Sequence, residues 1–204
     1  TNAMVPGHSG SEADVGDVLA DLFARLDERI VVGCFASNVA RIESIAKAAQ
    51  AVGREVALVG RSLWRIHDAA KETGYLQDCP RFLSDDEAKR LPRDKVVLIC
   101  TGSQGEPRAA LARIADDQHP AISLDQGDAV IFSSREIPGN ERAIGRLQNK
   151  LSMLGVSIIT ARDEDIHVSG HPNQDELAQM YHWVRPRIAV PTHGEQRHLR
   201  AHAE

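Results

Sequence analysis

Aromatic residues are scarce: two Trp, two Tyr and four Phe make up 4% of the 204 residues. That is too few rings for a broad base-stacking platform. Cysteine is scarce and odd in number, with Cys34, Cys79 and Cys100 in or near apolar runs. A disulfide framework is therefore not expected, and a reducing compartment, the cytoplasm, is. No apolar run approaches the roughly 18 residues that span a bilayer, and no secretory signal is visible, so no membrane partner is expected. Basic excess is missing too. A formal net charge of -5 argues against indiscriminate binding to nucleic acid or anionic lipid, which needs a broadly basic face, but leaves room for RNA in one local groove. Several catalytic motifs are also missing. H-x-H-x-D-H, HExxH and CxxC do not occur, so the three or four converging ligands of a zinc site are not written locally. Neither GxxxxGK[ST] nor GxGxxG occurs.

What is present suits a folded domain: 42% hydrophobic and 26% charged residues. From Ile30 onward, short apolar runs alternate with helical patterns. IVVGCF (30–35), EVALVG (55–60), KVVLIC (95–100), SIIT (157–160) and IAVPTH (188–193) read as strands. AISL (121–124) and AVIFSS (129–134) are expected as edge or paired strands. Helices are expected from Ser37-Asn38 to about Gln50, from Ser62 to about Thr73, over DDEAKRL, after TGSQGE with Pro107 near its first position, from Asn140 to about Leu154 and over Gln174–Val184. The alternation predicts an α/β fold with a mostly parallel sheet flanked by helices. Ahead of it, ADVGDVLADLFARL carries Val15, Val18, Leu19, Leu22, Phe23 and Leu26 at helical spacing. The chain closes on AHAE inside a helix expected from about Glu195, and both ends read as cuts in a longer protein.

Three strand ends run into glycine or capping residues. In VVLIC-TGSQGE, a Gly-Ser-Gln-Gly turn ahead of a helix points backbone N–H groups and a hydroxyl at one place, as an anion site would. A tight turn needing two glycines explains the same residues. FASN (35–38) and SREIPGNE (134–141) end their own strands, where ligands of open α/β sheets collect, although a helix cap alone also accounts for Ser37 and Asn38. The sharpest stretch is HVSGHPNQDELAQMYHWVRPRIAVPTHGE (167–195). Three of the chain's nine histidines, His167, His171 and His193, lie at or near glycines, where a helix cannot continue. His193 closes an expected strand, a position suited to a metal ligand or an acid/base group. His182 reads as a surface or packing residue, His198 and His202 as solvent-facing, and His8 and His119 as loop residues.

FASN, VGRS, TGSQGEP, IPGNE, HVSGH and P-T-HGE, in this order and at these spacings, resemble the β-CASP region of bacterial ribonuclease J, within the metallo-β-lactamase superfamily. The resemblance covers nearly the whole chain. It implies a junction over 1–13, with Thr1 just after an acidic family motif. A β-CASP domain would follow over 14–160, and 161–204 would return to a metallo-β-lactamase-type αββα domain that is otherwise absent. It implies that His171 assists proton transfer to the leaving oxygen and that His193 is a zinc ligand. RNA phosphates would be held by Ser37, Asn38, Gly102, Ser103, Gln104, Gly105, Glu106, His167 and Ser169. The remaining zinc ligands lie upstream in the family. Pro172-Asn173 departs from the Ala-Ser common among relatives without touching these positions.

The activity implied is metal-dependent hydrolysis of RNA, internally and from the 5′ end, in RNA processing (ribosomal RNA included) and decay. Two zinc ions, or manganese, would serve the complete homo-oligomeric enzyme, while this chain alone would bind metal weakly and be inactive. The alternatives are a non-catalytic α/β module binding RNA or a nucleotide, and a metallo-hydrolase acting on DNA or a small substrate.

Overall fold

The computed structural model describes residues 1–204, which form two compact units. One is Glu12–His167 (the sheet unit). The other joins Thr1–Ser11 to Val168–Glu204 (the terminal unit).

The sheet unit opens with α1 (Glu12–Ala24), followed by β1 (Ile30–Gly33), α2 (Val39–Ala51), β2 (Glu55–Val59) and α3 (Arg61–Glu72). Then come the two-residue strand β3 (Phe82–Leu83), α4 (Asp85–Ala88), a 3-10 turn at Arg93–Lys95, β4 (Val96–Cys100), α5 (Ala110–Ala115), β5 (Ala129–Phe132), α6 (Glu141–Met153) and β6 (Ser157–Ile159). The strands form one sheet in the order β3-β2-β4-β1-β5-β6, and every pairing is parallel. A parallel sheet covered on both faces needs strands apolar on both sides. IVVG, VVLIC and AVIF meet that need, with every residue buried. Leu111 and Ile114 of α5 and Ile144, Leu147 and Leu151 of α6 pack with Val31, Leu98 and Val130 in one core. Helix α1 packs on α2, burying Val15, Leu19, Leu22 and Phe23 on one helix and Ile42, Ile45, Ala46 and Ala49 on the other. Each of the Val, Leu, Ile and Phe side chains among these contributes about 1.5–3 kcal/mol on burial.

Three expectations need correction. AISL is not a strand, although Ala121, Ile122 and Leu124 are buried. The amides of Ala121 and Ile122 bond to Nδ1 of His119 and the carbonyl of Ser123 to Arg29, so they are not used in a sheet ladder. AVIFSS, by contrast, is paired as expected, as β5 between β1 and β6. Helix α5 begins at Ala110, three residues beyond Pro107, because a turn over Glu106–Ala109 precedes it and the Leu111 amide bonds back to Thr101. Finally, IAVPTH forms no strand. Ile188 and Val190 are 81% and 73% exposed, and Pro191 has no N–H to give a ladder.

The terminal unit holds α7 (Gln174–Val184) and α8 (Gln196–Ala203). Asn173 starts α7 with a capping box closed by Glu176. The Glu176 carboxylate also accepts from the amide and hydroxyl of Ser9, which lowers its pKa and ties the first residues to the helix start. No helix of either unit is long and apolar enough to cross a membrane.

Candidate nucleic-acid interface and histidine pair

Because all six strands are parallel, FASN, TGSQGE and SREIPGNE leave β1, β4 and β5 at the same carboxyl edge of the sheet. Neighbouring pairing, Gly33 with Cys100 and with Phe132, sets the three exits side by side.

Much of the donor capacity at this edge is used internally. Oδ1 of Asn38 caps α2 through the Arg41 amide (3.1 Å), and its Nδ2 donates to Glu12 (3.3 Å). Ser37 is exposed. In TGSQGE, the Gly105 amide bonds to the Gly102 carbonyl and the Gln104 amide to the Glu106 carboxylate (3.0 Å). The Gln104 side chain is 5% exposed. It donates to Ser134 Oγ and the Arg135 carbonyl and accepts from the Ile137 amide and Asn140, stitching the β4 loop to the β5 loop. Gly105 is required at its position. With φ +76°, an added Cβ would lie 2.5 Å from the Ala143 carbonyl carbon in α6. Gly102 (φ +114°) is similarly crowded by Ala109, at 2.7 Å. At the start of α6 the Glu141 carboxylate occupies the Gly139 amide, and this bond lowers the Glu141 pKa. The turns are thus shaped by glycine and closed by their own carboxylates, leaving Ser37 and Ser103 with no side-chain bond of this kind. Ser103, Ser134 and Thr160 line a cavity of about 290 Å³ with Arg135 and Arg162 at its rim.

Sequence reading missed what lies beneath this edge. Arg41 is fully buried. Its Nε and Nη2 donate to the Glu12 carboxylate at 2.8 and 2.9 Å, and Nη1 donates to the Ser133 carbonyl and hydroxyl and to the Ile166 carbonyl (3.0, 2.7 and 3.0 Å). An arginine on a helix ordinarily reads as solvated; the one available signal was its place beside Ile42 and Ile45 on the buried stripe. His167 follows Ile166 directly, and its Nδ1 is buried without a hydrogen-bond partner. Burial lowers its pKa, and the Arg41 charge adds to this while Glu12 opposes it.

In the terminal unit the turn over Val168–His171 is tied by its backbone. Ser169 Oγ accepts from the His171 amide (3.1 Å), and the His171 carbonyl accepts from Asn2 (3.0 Å), whose amide group also reaches Asn173. The rings of His171 and His193 stack with centroids 5.1 Å apart and planes 29° apart. Both residues are exposed. Gly194, at φ +123°, has Thr1 Cγ2 and His198 Cβ within 2.7 and 2.8 Å of where a Cβ would sit, so only glycine lets the chain turn directly after His193. His198 and His202, both partly exposed, also make local bonds: Nδ1 of His198 accepts from the Glu195 amide, and His202 bonds Tyr181 at 2.9 Å.

A neutral imidazole is a proper donor for zinc, but zinc takes three or four ligands. No group of three or more His, Cys, Asp and Glu side chains is assembled here to hold a metal. The donor type fits and the number does not, so these residues alone do not make the site. The three cysteines are free, and burial pushes the Cys34 thiol up to about 12, which makes it a packing group.

Two family models match the chain. Residues 27–151 match the Ribonuclease J, beta-CASP domain, and residues 158–204 match the Zn-dependent metallo-hydrolase RNA specificity domain. Among curated proteins, Ribonuclease J of Sinorhizobium meliloti is 52% identical over 204 residues, all of this chain and 36% of that protein. Ribonuclease J of Mycolicibacterium smegmatis is 47% identical over all of this chain and 37% of its own length, and that of Corynebacterium glutamicum 46% over all of this chain and 29% of its own. The chain thus spans about a third of the length of the relatives it matches. With the six collinear motifs, the parallel sheet and both domain matches in agreement, the chain belongs to the ribonuclease J family, across its β-CASP domain and the RNA specificity domain that follows.

Proposed function

We propose that this chain forms the RNA-holding part of a metal-dependent ribonuclease that cuts RNA internally and from the 5′ end, in RNA processing and decay. The reading rests above all on the single carboxyl edge from which FASN, TGSQGE and SREIPGNE emerge, within a chain 52% identical to a Ribonuclease J. Hydroxyls and imidazoles at strand ends and turns suit a phosphate backbone and carry no base code. The acidic total charge then confines binding to a groove.

In this reading Ser37, Ser103, His167 and Ser169 contact phosphate oxygens. Asn38, Gly102, Gln104, Gly105 and Glu106 shape the loops that present them, since their polar groups are bonded internally or their glycine geometry is required. His171, its backbone held by Ser169 and Asn2, hands a proton to the departing oxygen. His193 supplies one imidazole to a zinc ion, or manganese, whose other ligands lie outside these 204 residues. The complete protein works in the cytoplasm as a homo-oligomer, and the chain alone is inactive.

The test uses the chain alone and the full-length protein that contains it, each offered 5′-monophosphorylated RNA. The full-length protein is expected to cleave. His193→Ala should lose bound metal and activity together, and His171→Ala should lose about 10²–10⁴-fold in rate while retaining metal. Cleavage by the chain alone at the full-length rate would overturn the reading. Indifference of metal content and cleavage to His193→Ala would favour a pure RNA-binding module.

A further inference from the structure

The least expected feature of the sheet unit is a charge at full burial. Arg41 is 0% exposed, and a guanidinium in that position must have its donors satisfied. Two of its nitrogens grip the Glu12 carboxylate, a fork-to-fork pair. The third, Nη1, reaches three oxygens on two separate stretches of chain: the Ser133 carbonyl, the Ser133 hydroxyl and the Ile166 carbonyl. Ser133 Oγ closes the triangle by donating to the same Ile166 carbonyl at 2.7 Å. One peptide oxygen, that of Ile166, is thus held from two sides, and the next residue is His167.

The His167 ring is asymmetric in its surroundings. Nδ1 is buried and has no hydrogen-bond partner, whereas Nε2 is not among the buried orphaned atoms. A proton on Nδ1 would bury an N–H with no acceptor, which proteins rarely tolerate. A proton on both nitrogens would add a cation beside the Arg41 guanidinium. The arrangement that avoids both is the neutral ring with its proton on Nε2. We infer that Arg41 is a positioning residue for His167: by pinning Ser133 and the Ile166 carbonyl to one buried guanidinium neutralised by Glu12, it holds His167 as an uncharged imidazole presenting Nε2–H as a hydrogen-bond donor. The inference builds on the reading of His167 as a phosphate contact and divides the labour among the histidines. His167 donates a fixed hydrogen bond and carries no proton in the reaction. A phosphate oxygen accepts from it without the ring changing charge.

The charged groups that bear on His167 are Arg41 from α2, Glu12 from α1 and Arg135 from the loop after β5, so their removal should move its titration in opposite directions. The experiment is a pH titration of the ¹⁵N-labelled chain, following the ring nitrogens of His167, assigned with His167→Gln. Wild type is expected to show the Nε2–H tautomer and to protonate below ordinary histidine. Arg41→Met should move that protonation to higher pH, and Glu12→Gln should move it lower still. Arg41→Lys, which keeps the charge but not the fork, should leave the midpoint near wild type while broadening or doubling the Ile166 and His167 signals. If Arg41→Met does not fold, Glu12→Gln and Arg41→Lys still decide the matter. An Nδ1–H tautomer in wild type, or a midpoint indifferent to Glu12→Gln, overturns the inference.

Addition of a single-stranded RNA oligonucleotide separates the two proposals. A shift of the Nε2–H signal that Arg41→Lys weakens supports both. No RNA response, with the titration shifts intact, sinks the phosphate-contact reading and leaves the Arg41 clamp standing.

Discussion

Two β-branched runs of similar composition meet different fates in the two units. KVVLIC becomes β4, paired on both sides by β2 and β1, with Val96–Cys100 all buried. IAVPTH forms no strand, with Ile188 and Val190 open to solvent. Trp183 and Val184, 71% and 67% exposed, lie in the same unit as IAVPTH, and there the buried residues are few: Asn2, Ala3 and Asn173. Apolar character makes a strand available, but a strand exists only where neighbours satisfy its N–H and C=O groups. The sheet unit stands on hydrophobic burial, the terminal unit on polar lacing by Asn2, Ser9, Asn173 and Glu176.

That contrast can be broken by mutation, and the two tryptophans report on it separately, since Trp64 lies in the sheet unit and Trp183 in the terminal unit. The largest effect is expected at Asp128, whose fully buried carboxylate pairs with Arg93 and accepts the amides of Arg29 and Asp125. Asp128→Ala strands those donors and should cost about 4 kcal/mol, read as a lower urea midpoint of Trp64 fluorescence. An unchanged midpoint would show that the β5 entry turn is held by something else. Next, Leu98→Ala in the middle of β4 should cost about 3 kcal/mol by cavity formation, seen in the same unfolding curve.

Acid should weaken the sheet unit by a smaller amount. His119 is held neutral, mainly by burial, with its Nδ1 accepting two amides. Its folded pKa lies below the unfolded value, so the unfolded chain takes up the proton first. The stabilisation is complete above about pH 6.5 and falls away as the pH drops through the unfolded and then the folded pKa. A fall in the urea midpoint between about pH 7.5 and 5 is expected, and His119→Gln should flatten the part due to this residue. Retention of the full pH dependence in that variant would assign the effect to His167 instead. The smallest effect is expected from Ile188→Ala: under about 0.5 kcal/mol in the Trp183 signal, because no packed neighbours are lost. A cost approaching that of Leu98→Ala would erase the distinction between the units.

The carboxyl-edge loops were legible because their signals are local. Val, Ile and Leu runs ended by Ser-Asn, Gly-Ser-Gln-Gly or Pro-Gly-Asn mark strand exits and helix starts whatever surrounds them, and Asn38 and Asn140 do stand at the N-cap positions of α2 and α6, Asn38 with its side chain bonded to the helix and Asn140 without such a bond. Other features resisted reading because they depend on residues far apart in the chain. AISL has a strand's composition, yet His119 takes its amides. Gln104 reads as a loop donor for an anion, yet Ser134, Arg135, Ile137 and Asn140 use up its amide group. Glu106 and Glu141 sit on amides that a phosphate could have used.

The order of residues by itself determined the alternation of strands and helices, hence a parallel sheet with its loops at one edge. It also determined the glycine-histidine turns, because backbone sterics and side-chain period act within a few residues. Only the tertiary structure decided that Arg41 lies at zero exposure beneath His167, that the rings of His171 and His193 stack, and that IAVPTH lies open. Burial, pairing and charge compensation depend on which distant groups arrive beside a residue, and the sequence encodes that meeting only through the whole fold.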